Sequence, residues 1–160
     1  MNFKLSLLLL TFIVVLTACE NKKDKISKTV GGDAASATPT TENYDPKRGE
    51  GKYTEASLNL GATIDDAMAE SGSKIQGVKC SSCHKLGTEK LVGPGWKGVT
   101  TRRTPSWIMN FITNPDPMIN KDPELQAQLE LCLVRMPNQN LTDDDARHVL
   151  EFMRKNDAAK

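Results

Sequence analysis

The stretch from Lys79 to Trp96 reads KCSSCHKLGTEKLVGPGW, and its core, Cys80-Ser81-Ser82-Cys83-His84, limits what the chain can become more than any other feature. Two thiols three positions apart can form a redox dithiol, supply half of a zinc site, or bind one edge of a porphyrin covalently. Only the third use needs a histidine directly after the second cysteine. There the two thiols reach the two vinyl groups, and the next residue sets an imidazole beneath the iron. The rivals fare worse. A structural zinc ion needs four ligands, and beyond this pair the chain offers Cys132 and His148 without the tight spacing of a second pair. A thioredoxin-like dithiol follows a strand in a βαβ pattern, whereas the apolar spacing around Cys80 is helical and no β-rich run is present. The pentapeptide therefore reads as the seat of one haem c, with Cys80 and Cys83 as the covalent attachment points and His84 as an axial ligand of the iron.

The N-terminus carries Lys4 and then an apolar run from Leu5 to Leu16. A bilayer span needs roughly 20 apolar residues, so this run is too short and reads as a secretory signal. Its end, Leu16-Thr17-Ala18-Cys19, resembles the lipobox of bacterial lipoproteins. The resemblance implies a signal peptide over 1–18, cleaved before Cys19, and a lipidated Cys19. The chain is then exported, lipid-anchored to a bacterial membrane and facing the periplasm. The alternative is an ordinary signal peptide with a chance cysteine. Each buried acyl CH2 is worth ~0.8 kcal/mol, so several chains hold a protein firmly at a membrane surface.

Residues 20–42, ENKKDKISKTVGGDAASATPTTE, have almost no large apolar side chains and cannot offset the entropy of ordering themselves. The expected organisation is a lipidated flexible tether over 19–55 and one folded domain over 56–160. The end of the tether, NYDPKRGEGKYTEASLNLG, orders only by docking on the domain after it. About 105 residues can bury a core of their own, but aromatics are scarce, and a bulky apolar cofactor at the centre would help to explain how they do so.

A net charge of +1 gives no reason to expect nucleic acid. The distribution is more telling. Lys74, Lys79, Lys85, Lys90, Lys97, Arg102 and Arg103 face one acid, Glu89, in the segment 74–103, whereas 116–160 is acidic on balance. A basic surplus around the haem motif can orient a partner protein electrostatically.

From about Gly72 to Met153 the chain resembles a class I cytochrome c. GSKIQGVKCSSCH is similar to the family's helix running into the haem motif, with Gly72 as a close-contact residue. LVGPGWKGVTTRRTPSWIMNFITNP resembles the family's next segment. The resemblance implies an all-α cytochrome c fold wrapped around one covalently bound haem. It also implies that the Pro94 carbonyl accepts a hydrogen bond from the imidazole of His84, and that Trp107 lies near a haem propionate. The last helix would cross the first, with Phe152 packed near Gly72.

The sixth ligand decides between electron transfer and chemistry at the iron. Met68, Met109 and Met153 lie on apolar helical stripes and read as core filler. Met136 and Met118 are left. VRMPNQNLTDDDARHVLEFMRK resembles the family's distal segment, in which Met-Pro precedes a loop and the last helix, so the resemblance favours Met136. Met118, in NPDPMIN, sits between two prolines in an expected loop and is the other candidate. His148 is expected to face solvent.

Helices are expected at 63–79 with Thr63 as the N-cap, around Trp107–Ile112, around Leu125–Leu133, and from Thr142, whose capping box uses Asp145. Cys132 reads as a buried small apolar residue.

The functional expectation is an electron carrier, not an enzyme, that acts in respiration and has no small-molecule substrate. Its redox protein partners are a donor and an acceptor. The acceptor expected is a terminal reductase, those of nitrogen oxides included, or an oxidase. The other readings are a haem enzyme or gas sensor with an open or labile sixth site, a fixed electron-entry subunit of a larger oxidoreductase, and a structural lipoprotein with a plain disulfide.

Overall fold

Gly72 decides how the two longest helices meet. A computed structural model describes residues 44–159, and in it α2 (Asp66–Lys79) crosses α7 (Asp143–Ala158) at this glycine. A Cβ at Gly72 would lie 2.0 Å from the carbonyl oxygen of His148 and 2.9 Å from the Cβ of Phe152. No side chain fits such an approach, and the expected crossing beside Phe152 is present. The other helices are α1 (Glu55–Leu58), α3 (Val99–Arg102), α4 (Pro105–Thr113), α5 (Pro115–Lys121) and α6 (Pro123–Cys132). Among the described residues there is no strand, only an isolated bridge between His84 and Lys90, so the all-α expectation holds. None of the described helices is long and apolar enough to cross a membrane. The expected signal peptide, Cys19 and the tether up to residue 43 lie outside the described residues.

Helix ends follow local chemistry. Thr142 and Asp145 form the expected capping box on α7. The start of α2 corrects the expectation of Thr63: the cap is Asp65, whose carboxylate accepts from the Met68 N–H at 2.9 Å. Aspartate caps as well as threonine and also brings a negative charge to the positive end of the helix. Pro105, Pro115 and Pro123 each open a helix at a position where the missing N–H would have had no partner anyway. This overturns the reading of Met118. Instead of lying in a loop between prolines it sits in α5 and is fully buried.

The boundary at 55/56 also moves. Residues 44–55, assigned to the tether, are laid as a strap across α4, α5 and the start of α7. The Tyr44 hydroxyl donates to Asp122 Oδ2 at 2.6 Å, and Thr104 Oγ1 donates to the carbonyl of Lys47. Asn110 takes the Tyr53 N–H on its side-chain oxygen at 2.9 Å and donates to the carbonyls of Arg48 and Tyr53, both at 3.0 Å. The Tyr53 hydroxyl donates to Asp143 at 2.6 Å, and Lys52 pairs with the same carboxylate. Gly49, at φ +72°, leaves room for Met118, whose Cε would lie 2.3 Å from a Cβ there. Docking was the right expectation for this stretch. The folded unit therefore begins no later than Tyr44.

Candidate functional site

Lys79 ends α2, and Cys80 closes it by donating its N–H to the Gln76 carbonyl at 2.9 Å. The chain then turns tightly: the N–H groups of Cys83 and His84 both return to the Cys80 carbonyl, at 3.1 and 2.9 Å. The next residues fold back over this turn. Val92 and Gly93 donate to the Cys83 carbonyl, Trp96 to Lys85 and Lys97 to Gly87, at 2.9–3.2 Å. One result is a fixed imidazole. His84 Nδ1 lies 2.8 Å from the Pro94 carbonyl oxygen. With its proton on Nδ1, the ring donates to that carbonyl and keeps the Nε2 lone pair free for a metal.

Gly93, which the sequence reading did not single out, is what allows this. A Cβ there would sit 2.4 Å from His84 Cε1 and within 3.0 Å of both ring nitrogens. The buried Trp96 completes the support, its ring centroid 5.9 Å from that of His84.

Cys80, Cys83 and His84 open onto a cavity of ≈ 290 Å³. Its walls are mostly apolar, with Trp107, Ile108, Phe111 and Ile112 from α4, Ile119 from α5, Leu125 and Leu129 from α6, and Val149 and Met153 from α7. Met136 lines the same cavity from the segment between α6 and α7, and is half-buried. Met118 does not line it. Met153 does, from inside α7. The charged side chains on the lining are Lys79, Arg102, Arg103 and Arg135, all basic.

These residues fit haem c. Two free thiols and an imidazole with a free nitrogen share the space with a thioether. Apolar walls suit the macrocycle, and cations at the lining suit its two carboxylates.

The rivals lose ground on the same geometry. Burial pushes the Cys80 thiol above its ordinary value, with Lys79 opposing only in part. A redox dithiol needs the opposite shift. The four zinc ligands imagined from sequence do not gather. Among the described residues no group of three or more His, Cys, Asp or Glu side chains could hold a metal ion. His148 is half-buried on α7 rather than solvent-facing, away from the cavity lining. Cys132 is likewise half-buried, not buried, because it lies on the cavity wall.

Trp107, expected beside a propionate, lines the cavity but donates its indole N–H to Asp122 Oδ2 at 3.2 Å. The Arg103 guanidinium lies over its ring, 4.2 Å from the centroid, and Arg103 pairs in turn with Glu124. Asp122 was another residue missed in the sequence. Buried, it accepts from Tyr44 and Trp107 while capping α6 through the N–H groups of Glu124 and Leu125. Asp-Pro-Glu at a helix start was the available signal.

The family model for cytochrome c matches residues 69–157. A solved cytochrome c from Rhodothermus marinus is 31% identical, with 72% of this chain and 95% of that one covered, at a TM-score of 0.64. An engineered form of the Rhodothermus marinus cytochrome c is also 31% identical, covering 71% of this chain and 98% of that one at a TM-score of 0.62. The same engineered protein, solved with a bound carbene intermediate, is 32% identical over the same shares, at a TM-score of 0.60. No curated protein matches the chain.

Proposed function

We propose, from the premise that this chain belongs to the cytochrome c family and carries covalent haem c, that it is a one-electron carrier held at a bacterial membrane. In this reading Cys80 and Cys83 would hold the haem covalently, and His84 and Met136 would bind its iron. The observation that carries it is the meeting of those four side chains in one apolar cavity with His84 already oriented by Pro94.

The cofactor supplies a reversible Fe(III)/Fe(II) couple. A thioether opposite an imidazole favours the ferrous state relative to two nitrogen ligands. The chain supplies the rest. Pro94 fixes the ring, apolar walls exclude water, and Lys79 and Arg102 would offer positive charge to the carboxylates, while Arg103 and Arg135 are paired with Glu124 and Asp116. The Leu16–Cys19 lipobox supports a lipid at Cys19 and a periplasmic position. Tethering raises the effective concentration of the carrier at respiratory partners in the same membrane. A terminal reductase or oxidase is the acceptor that we infer from the distal segment.

One observation favours a second reading. Met136 stands on a segment whose neighbours Val134, Arg135, Pro137 and Asn138 are all exposed, so a labile sixth ligand, and with it a haem enzyme or gas sensor, is the rival. Carbon monoxide decides. The reduced, haem-loaded protein is expected to show an unchanged optical spectrum on adding the gas, and Met136→Ala a prompt shift. A prompt shift in the unaltered protein would end the carrier reading in favour of the rival.

A further inference from the structure

Asp122 joins the strap to the cavity wall. Its side chain is 1% exposed, and among the described residues no lysine, arginine or histidine forms an ion pair with it. Hydrogen bonds alone compensate the carboxylate, and its two oxygens divide the work. Oδ1 accepts from the N–H groups of Glu124 and Leu125, at 2.8 and 3.3 Å, and so belongs to the start of α6. Oδ2 accepts from two side chains at once, the Tyr44 hydroxyl at 2.6 Å and the Trp107 indole N–H at 3.2 Å.

The unequal lengths matter. Hydroxyl bonds to a carboxylate are strongest near about 2.5–2.7 Å, so Tyr44 holds Oδ2 closely and Trp107 is kept at arm's length. Burial, then the bond to Asp122, raises the Tyr44 hydroxyl above its ordinary value, so it remains a donor at neutral pH. Trp107 is 5% exposed, lines the cavity, and stacks on Phe111, another wall residue, with ring centroids 4.9 Å apart. One hydroxyl of the strap therefore sets how tightly a wall residue is drawn onto a buried carboxylate. It also sets how much negative charge behind that wall is left unscreened. Tyr44 lies ahead of residues 69–157, the part that carries the family match.

Resting on the reading of this cavity as the haem seat, we propose that Tyr44 is a positioning residue for electron transfer. Through Asp122 Oδ2 it holds Trp107 back and screens the carboxylate, so that the docked strap raises the reduction potential. Negative charge near an iron centre favours the ferric state, and a hydroxyl that offsets part of it favours the ferrous. Linkage makes the effect reciprocal. Reduction must tighten the strap by the same factor by which docking favours reduction.

Two variants of the full haem-loaded chain test this. Tyr44→Phe removes the hydroxyl on Asp122, whereas Tyr53→Phe removes the one on Asp143 and loosens the same strap elsewhere. The indole N–H resonances of the chain's two tryptophans, Trp96 and Trp107, are recorded with a redox titration of each protein. In Tyr44→Phe the Trp107 indole proton is expected to move downfield as its bond to Oδ2 shortens, with Trp96 unmoved. The ferric-to-ferrous ratio at a fixed poise should rise about twofold or more, the scale of a partly unscreened charge acting through protein. Tyr53→Phe should match the unaltered protein in both readings. An unmoved Trp107 resonance or an unmoved ratio in Tyr44→Phe would overturn the coupling and leave the carrier reading intact. Equal changes in the two variants would reduce Tyr44 to a fastening of the strap and overturn its positioning role. A Trp107 indole resonance at the same place in the ferric and ferrous forms of the unaltered protein would show that no haem lies against this wall. The haem seat in this cavity and this inference would then fall together.

Discussion

Gly93 carries a consequence out of proportion to its size. The His84 ring lies against it so closely that one added methyl would overlap three ring atoms. Gly93→Ala is therefore expected to tilt the imidazole away from the Pro94 carbonyl. In the haem-loaded protein this should appear as a lower reduction potential or partial loss of the low-spin spectrum, while covalent haem, whose attachment we propose at Cys80 and Cys83, is retained. An unchanged potential would mean that the ring has room the geometry denies it. The two thiols and the imidazole were legible because their chemistry demands a fixed pattern in the chain. Gly93 and Asp122 were not, because their roles come from contacts across space. Nothing adjacent in sequence marks a glycine as lying beneath a ring, or an aspartate as the common acceptor of Tyr44 and Trp107.

Among the elements, the one-turn helix α3 shows how the supporting loop is secured. Its N-cap is Gly98, which has no side chain to satisfy the first N–H groups. Asp157, near the end of α7, does so instead: its carboxylate accepts from the N–H of Gly98 at 2.5 Å, from the N–H of Thr100 at 2.8 Å and from the Thr100 hydroxyl at 2.7 Å. Lys97 reciprocates by donating to the Asn156 carbonyl at 3.0 Å, and Asn156 reaches back to the Leu86 carbonyl. The end of the last helix thus clamps the loop that carries Pro94. Loss of a cap costs about 0.5–2 kcal/mol, so Asp157→Ala should lower the melting temperature by about 4 °C per kcal/mol lost in a domain of this size. A calorimetric melt of the haem-loaded variant checks this, and no shift would show the clamp to be ornamental. Periodicity and caps sufficed to place α2, α4, α6 and α7 to within a few residues. They failed for α5, where Pro115 and Pro117 looked like loop markers, because proline interrupts a helix only beyond its first turn.

For the molecule as a whole, the strap of residues 44–55 is held on the helices through ionisable pairs, and its pH dependence has a definite sign. Burial, then the hydrogen bond to Asp122, raises the Tyr44 hydroxyl above its ordinary value of 10.0. Burial, then Asp143, does the same for Tyr53. Groups raised on folding lend stability below their unfolded value and lose it as pH rises past it. Asp143 moves the other way, held below its ordinary 3.8 by Lys52 and then Tyr53, so its contribution is present above that pH and lost below. Protease protection of residues 44–54 in the haem-loaded protein should be flat across neutral pH. It should decline above about pH 10 and below about pH 4. Loss of protection between pH 6 and 8 would refute the assignment of these pairs as its anchors. The boundary of this strap escaped the sequence because its residues are polar and carry no periodicity. They order through partners on α4, α5 and α7, and through Asp122 between α5 and α6, rather than through any preference of their own.

Ile108, Ile112, Ile119, Leu125, Val149 and Met153 belong at once to the buried core and to the wall of the cavity. The cavity is therefore the unfinished middle of the domain rather than a recess in a completed one. A copy that misses its cofactor has these side chains facing unfilled space, and lost packing of that kind weakens the hold of the helices on one another. Thioether bonds, once made, do not dissociate, so a loaded copy is never returned to that state.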